Sequence, residues 1–259
     1  MKQMFATELD NIRFFLLDDY KGISEVAAAI IEVRIESNPF LILGLATGAS
    51  PEGTYAELVK IAKEEDLDFS DVTTFNLDEY YPIEKDNPQS YHYYMNEHLF
   101  KHVNLKQENI NIPNGSSKDI ESDCEAYEQK IREVGGIDLQ VIGIGLNGHI
   151  GFSEPSDVFT KSTYVTDLDE LTIEANSKYF DSQEKMPKQA ITMGVSSVFK
   201  AKEILLIVSG EKKAEILYKS LFEDITPQVP ASILQLHQNV TIVLDKAAAS
   251  KIKNYLKEM

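Results

Sequence analysis

The sequence predicts an α/β protein built on an open, mostly parallel sheet with helices on both faces. Three observations carry this. Short, strongly apolar runs alternate with amphipathic stretches along the chain, and strands covered on both faces read as near-continuous apolar runs. No internal repeat, linker or low-complexity segment interrupts the alternation, so residues 1–259 are read as one domain. One apolar run, carrying Ile137, Leu139, Val141, Ile142 and Ile144, then breaks into glycines at Gly143, Gly145, Gly148 and Gly151, interleaved with Asn147, His149 and Glu154. A buried strand that runs into a glycine-rich loop bearing an imidazole and a carboxylate is where an open α/β sheet keeps its active site. A tight turn with a solvated histidine would explain a lone Gly-x-Gly, but not this string.

Composition narrows the class. Hydrophobic residues make up 43% of the 259, enough for a sizeable core. The net charge of −17 repels nucleic acid and anionic lipid, so an anionic substrate would need a locally basic site. The single cysteine, Cys124, forms no intrachain disulfide, and a reducing, cytoplasmic setting is expected. Met1 to Asp10 is acidic and lacks the apolar core of a signal peptide. No apolar run reaches membrane-spanning length.

In chain order, Ile12 to Leu17 reads as a short edge strand. Gly22 to Ser37 places Ile23, Val26, Ala27, Ile30 and Ile31 on one helical face. Pro39 to Leu45 is too short and too apolar for an amphipathic helix and reads as a buried parallel strand. Ala46-Thr47-Gly48-Ala49-Ser50-Pro51 follows, and Glu52 to Lys63 is helical. Amides and two hydroxyls at the positive end of a helix dipole make a phosphate cradle. The ordinary alternative has Ser50 as N-cap and Pro51 at the first helical position, which leaves Thr47-Gly48 unexplained.

Val72 to Leu77 is a third strand, ending in Asp78-Glu79-Tyr80-Tyr81-Pro82. Two adjacent acids at a strand's carboxyl end offer a general base, where one alone would be an ordinary polar loop. Asn87-Pro88-Gln89-Ser90 opens a helix to about His102. His92, His98 and His102 have no partnered carboxylate or cysteine pattern and read as surface or packing residues, not metal ligands. Asn109 to Ile112 is a short strand, and Lys118 to Val134 an amphipathic helix with a structural Cys124. Ser156 to Lys185 is polar and irregular, with a helix around Glu170 to Tyr179. A long insertion beside a catalytic loop is a candidate lid. Pro187 to Lys200 ends in a helix. Glu203 to Val208 is a buried strand ending in Ser209-Gly210, and Lys213 in the helix that follows can reach a phosphate held by neighbouring loops, although most lysines are solvated. Thr241 to Leu244 is the last strand and Lys246 to Leu256 the last helix.

Several of these segments resemble glucosamine-6-phosphate deaminases: Leu45 to Pro51, Phe75 to Tyr80, Pro88 to Tyr91, Gly143 to Pro155, Ala175 to Lys178 and Pro187 to Ala190. The likeness runs in order from about Phe40 to the C-terminus. It implies a Rossmann-like sheet without a nucleotide. The implied reaction converts glucosamine 6-phosphate and water to fructose 6-phosphate and ammonium, with no metal or organic cofactor. The resemblance puts Asp78 on the general base that moves a proton from carbon two to carbon one, and His149 on the ring-opening group, supported by Asn147 and Glu154. Thr47, Gly48, Ala49 and Ser50 fall on the phosphate loop, with Lys178 and Lys213 as its cations. Asn147 stands where many members have aspartate, Lys178 where many have arginine, and Ser153 where asparagine is frequent.

The residue types suit that chemistry. One carboxylate can take a proton and return it to the adjacent carbon, and an imidazole can exchange protons between an anomeric hydroxyl and a ring oxygen. Three rivals stand beside this reading. A 6-phosphogluconolactonase shares the fold, but that family usually has arginine after the Asp-Glu pair and an apolar residue near the Glu154 position. A sugar-phosphate-sensing regulator would need a DNA-binding segment. A deaminase for galactosamine 6-phosphate would differ only in the epimer. Large hexameric members are activated by the N-acetylated sugar phosphate at a site whose basic residues follow the Glu-Pro motif. Here Tyr164 and Thr166 occupy those places, so no activation is expected, and a monomer or small homo-oligomer is.

Overall fold

The computed structural model describes residues 5–9, 11–180 and 186–257. Its strands are β1 (Phe5–Leu9), β2 (Ile12–Leu17), β3 (Ile42–Leu45), β4 (Thr73–Asn76), β5 (Asp78–Tyr81), β6 (Ile110–Asn111), β7 (Leu139–Gly143), β8 (Tyr164–Asp167), β9 (Gln189–Thr192), β10 (Glu203–Val208) and β11 (Val240–Asp245). Its helices are α1 (Tyr20–Ser37), α2 (Ala49–Glu64), α3 (Tyr91–His98), α4 (Ile120–Glu133), α5 (Glu170–Ser177), α6 (Val195–Phe199), α7 (Ala214–Phe222) and α8 (Lys253–Lys257).

Eight strands form the main sheet in the order β1-β2-β11-β10-β7-β3-β4-β6. All pairings are parallel except β1 with β2. The expected open, mostly parallel sheet is what the chain adopts. The reason lies in runs such as Glu203–Val208, every residue of which is buried. Alternate side chains enter opposite cores. Ile204, Leu206 and Val208 join Ile142 and Ile242 on one face. Leu205 and Ile207 join Val141, Val243 and the α1 and α2 residues Ile31 and Leu58 on the other. Full burial of each such side chain is worth about 1.5–3 kcal/mol, so neither face can be left uncovered.

Chain order reverses between β3 and β7. From β3 the sheet grows outward through β4 and β6, whereas β7, β10 and β11 lie on the other side. The carboxyl ends of β3 and β7 therefore flank the crevice where such sheets bind ligands.

Four expectations need correction. Ile12–Leu17 is not the edge strand, because Phe5–Leu9 folds back antiparallel outside it. Asp78 and Glu79 do not sit in a loop. They begin β5, the first strand of a second, antiparallel sheet ordered β5-β9-β8. The stretch from Ser156 to Lys185 is less irregular than its polarity suggests, since Tyr164–Asp167 pairs with Gln189–Thr192 as β8; residues 181–185 lie outside the described residues. The last helix is broken into a 3₁₀ turn at Ala248–Lys251 and α8.

Candidate active site

At the end of β3 the backbone turns at Gly48, whose φ of +87° lies in the left-handed region that favours glycine. Gly48 is the N-cap of α2, and no side chain caps the helix. Ser50 is thus not a cap, as the ordinary alternative had it; it lies inside the first turn, and its hydroxyl is free for another role. The amides of that turn form an open helix N-terminus, a ready anion site. Tyrosine hydroxyls hold the carbonyls of the loop: Tyr55 donates to Ala46 O (2.5 Å), Tyr94 to Gly48 O (2.7 Å) and Tyr20 to Ala49 O (2.7 Å). With the carbonyls fixed, the amides are preorganised. Sequence reasoning missed these tyrosines. Their spacing in sequence carries no signal, because three different helices bring them together.

The loop abuts the end of β7. A Cβ on Gly143 would meet the Ser50 side chain at 3.4 Å. At the same strand end, Lys213 Nζ donates to Ile144 O at 2.6 Å. Burial pushes its ammonium pKa down to about 8. Lys213 is therefore no solvated surface lysine but a cation brought to the sheet edge. Lys178 is different. It caps α5, is exposed, and places Nζ 4.9 Å from the centroid of the neighbouring Tyr179 ring.

The glycine-rich loop after β7 builds the acid–base group. His149 Nδ1 lies 3.0 Å from Glu154 Oε2, and Asn147 Nδ2 donates to that same oxygen at 2.7 Å. Asn147 Oδ1 in turn accepts from the His149 amide at 3.2 Å. A carboxylate on Nδ1 fixes the proton there and leaves Nε2 as the basic nitrogen. Burial acts to raise the Glu154 carboxyl, but hydrogen bonds from His149, Thr172 and Asn147 and the charge of the imidazole outweigh it and hold the group below its ordinary range. Gly145 is sterically required, since a Cβ there would overlap the His149 ring at 2.4 Å.

Asp78 meets this loop at Gly151, where an added Cβ would lie 3.0 Å from both Asp78 Oδ2 and Thr192 Oγ1. Asp78 is 4% exposed. Desolvation, reinforced by the adjacent Glu79, raises its pKa well above the ordinary carboxylate value. Phe152 stacks on Tyr91 at 5.8 Å, and its ring lies 6.4 Å from the His149 ring. The structure thus unites Asp78, Asn147, His149 and Glu154 across Gly151. Thr47, Gly48, Ala49, Ser50 and Lys213 gather at the neighbouring strand ends.

Two partners escaped the sequence. Thr172, on α5 of the candidate lid, is buried with its hydroxyl 3.3 Å from His149 Nδ1. His92 was expected to lack a carboxylate partner, yet its Nδ1 lies 3.0 Å from Glu79 Oε2. In both cases the chain separation hid the contact.

Fold and site together define an α/β enzyme with proton-transfer groups set beside an anion-binding loop. The chain belongs to the family of glucosamine-6-phosphate isomerases and 6-phosphogluconolactonases, whose model matches residues 20–243. A glucosamine-6-phosphate deaminase of Clostridioides difficile (strain 630) is 52% identical over 241 residues, covering 93% of this chain and 97% of the relative. One from Clostridium acetobutylicum is 51% identical, covering 93% and 100%. A solved monomeric glucosamine-6-phosphate deaminase superposes with a TM-score of 0.90 at 44% identity, covering 92% of this chain and 99% of that one. A 6-phosphogluconolactonase from Plasmodium vivax, 17% identical with a TM-score of 0.76 over 97% of each chain, shares the fold.

Proposed function

We infer that the protein is a glucosamine-6-phosphate deaminase, converting D-glucosamine 6-phosphate and water to D-fructose 6-phosphate and ammonium. The observation that carries the reading is the carboxylate-oriented imidazole of His149 on the same glycine-rich loop that abuts the desolvated Asp78 at Gly151. Glu154 and Tyr80, which already spoke against a lactonase, sit inside this arrangement: Glu154 orients His149, and Tyr80 packs against Phe152 at 5.3 Å.

The sugar phosphate is held by Thr47, Gly48, Ala49 and Ser50, with Lys213 supplying a positive charge. The phosphate takes no part in bond making; its binding energy orients the sugar. His149 Nε2 accepts the anomeric hydroxyl proton and returns a proton to the ring oxygen, which opens the ring. Asp78 then removes the proton from carbon two and delivers it to carbon one, while a proton passes from the amino nitrogen to the carbon-one oxygen, leaving an imine at carbon two and a hydroxyl at carbon one. Water adds to that carbon, and the carbon–nitrogen bond breaks to release ammonium. Burial makes Asp78 a stronger base than a solvated carboxylate.

The enzyme works as a monomer or small homo-oligomer in the cytoplasm, a setting that suits a lone buried Cys124 whose thiol is pushed up to about 11 by burial. Among the described residues no helix is long and apolar enough to cross a membrane. The deciding assay follows ammonium release from glucosamine 6-phosphate and galactosamine 6-phosphate, with 6-phosphogluconolactone hydrolysis in parallel. Ammonium from the gluco epimer is the expected result. Lactone hydrolysis without ammonium would reject the reading.

A further inference from the structure

The fold splits the Asp78-Glu79 pair into two jobs. Glu79 is fully buried and has no route to a substrate. Its Oε1 accepts from the amides of Tyr80 (2.9 Å) and Tyr91 (2.8 Å). Its Oε2 accepts from the amide of His92 (3.0 Å) and faces His92 Nδ1 (3.0 Å). Four donors fill the acceptor capacity of a carboxylate. Tyr91 and His92 open α3, where amides have no partner within the helix and a carboxylate complements the dipole. The same helix grips the anion loop through Tyr94, whose hydroxyl donates to Gly48 O at 2.7 Å.

We propose that Glu79 is a positioning residue for the deaminase reaction, locking α3, and through it the phosphate loop, to the backbone that carries Asp78. The phosphate loop and the base lie on different strands, so the sugar spans two elements that must not drift apart. Glu79 joins them with a rigid helix end. It also acts through space, because a neighbouring carboxylate opposes negative charge on Asp78 and makes it more basic. The proposal rests on Asp78 being the base and 46–50 the phosphate loop.

Glu79→Gln tests it. The amide keeps the size but removes the charge and puts an NH2 group against backbone donors. The expected variant folds, shows a KM and an inhibition constant for inorganic phosphate raised about fivefold, and has the acid limb of kcat/KM moved to lower pH. The titratable groups facing Asp78 are Glu79, Tyr55, Tyr80, Tyr91 and Tyr127, and His92 faces Glu79. Burial raises all four phenols, so they stay protonated across the assay and do not contribute to the limb; a change between parent and variant reports the group next to Glu79. A folded variant with the parent's KM and phosphate inhibition overturns the tether, and one with the parent's limb overturns the electrostatic role. If Glu79→Gln fails to fold, Tyr94→Phe decides. It removes only the hydroxyl bond from α3 to Gly48, and an unchanged KM and phosphate inhibition would overturn the tether. Asp78→Asn separates the two levels. Activity retained in that variant rejects the base assignment itself, whereas an inactive Asp78→Asn beside a parent-like Glu79→Gln rejects only the role of Glu79.

Discussion

With Asp78 as the proposed base, its burial sets the pH range of the reaction. Its pKa in the fold is raised, so the basic form is lost as pH falls through that raised value, earlier than for a solvated aspartate. Asp78→Asn is expected to cut kcat at least about a hundredfold while inorganic phosphate still binds, and solvent deuterium exchange at carbon two should stop with it. Turnover within about tenfold of the parent would remove Asp78 from the role. Lys213 governs the other limb. Its ammonium, depressed to about 8 by burial, is charged below that pH and neutral above it. Substrate affinity in the free enzyme should therefore weaken as pH rises through about 8, and Lys213→Ala should raise KM by roughly ten- to a hundredfold, the worth of about 1.5–3 kcal/mol for a charge-assisted contact. A variant with the parent's saturation curve and phosphate inhibition would return Lys213 to a packing role.

At the scale of elements, α5 and β8 turn a polar insertion into part of the catalytic shell. β8 is clamped to β9 in the second sheet, and Thr163, just before it, bonds the buried Glu128 through both its amide and its hydroxyl. α5 then delivers Thr172 to the imidazole. Thr172→Val keeps the shape of the side chain and deletes the hydroxyl. Loss of one hydrogen bond of about 0.5–1.5 kcal/mol predicts a kcat roughly two- to tenfold lower, with KM little changed. Stopped-flow comparison of cyclic substrate with an open-chain analogue should locate the loss in ring opening. A loss confined to KM would make α5 a binding lid only.

For the whole molecule the relevant property is charge. The chain carries −17, and the stretch where hexameric relatives hold an effector phosphate here presents Tyr164 and Thr166 with Lys161 as its lone cation, backed by the buried carboxylate of Glu128. A phosphate dianion there would be desolvated without adequate pairing. Substrate saturation should be hyperbolic and unaffected by N-acetylglucosamine 6-phosphate. Sigmoidal curves made hyperbolic by that compound would overturn this. A sedimentation measurement should give a monomer or small oligomer, in keeping with the monomeric state of a solved deaminase 44% identical to this chain.

The sequence by itself determined the sheet and marked the strand ends at which the candidate site residues lie. Buried strands such as Glu203–Val208 announce themselves by composition, because burial on both faces leaves no room for polar residues. The glycine string at 143–151 marks the loop, because Gly145 leaves the space that the His149 ring occupies. Asp78, His149, Glu154 and the Thr47–Ser50 loop were legible for that reason: each lies at the end of a recognisable strand. Only the tertiary structure decided that Glu79 is buried against α3, that Gly48 and not Ser50 caps α2, that Tyr20, Tyr55 and Tyr94 hold the carbonyls of the 46–49 loop, and that Thr172 reaches His149. β8 was invisible because a half-exposed strand of Tyr, Val, Thr and Asp is held by its pairing with β9, not by its own apolar pattern. Strand and helix patterns are local consequences of side-chain burial. Which hydroxyl meets which carbonyl depends on contacts between residues tens of positions apart, and those exist only once the sheet has brought its carboxyl ends together.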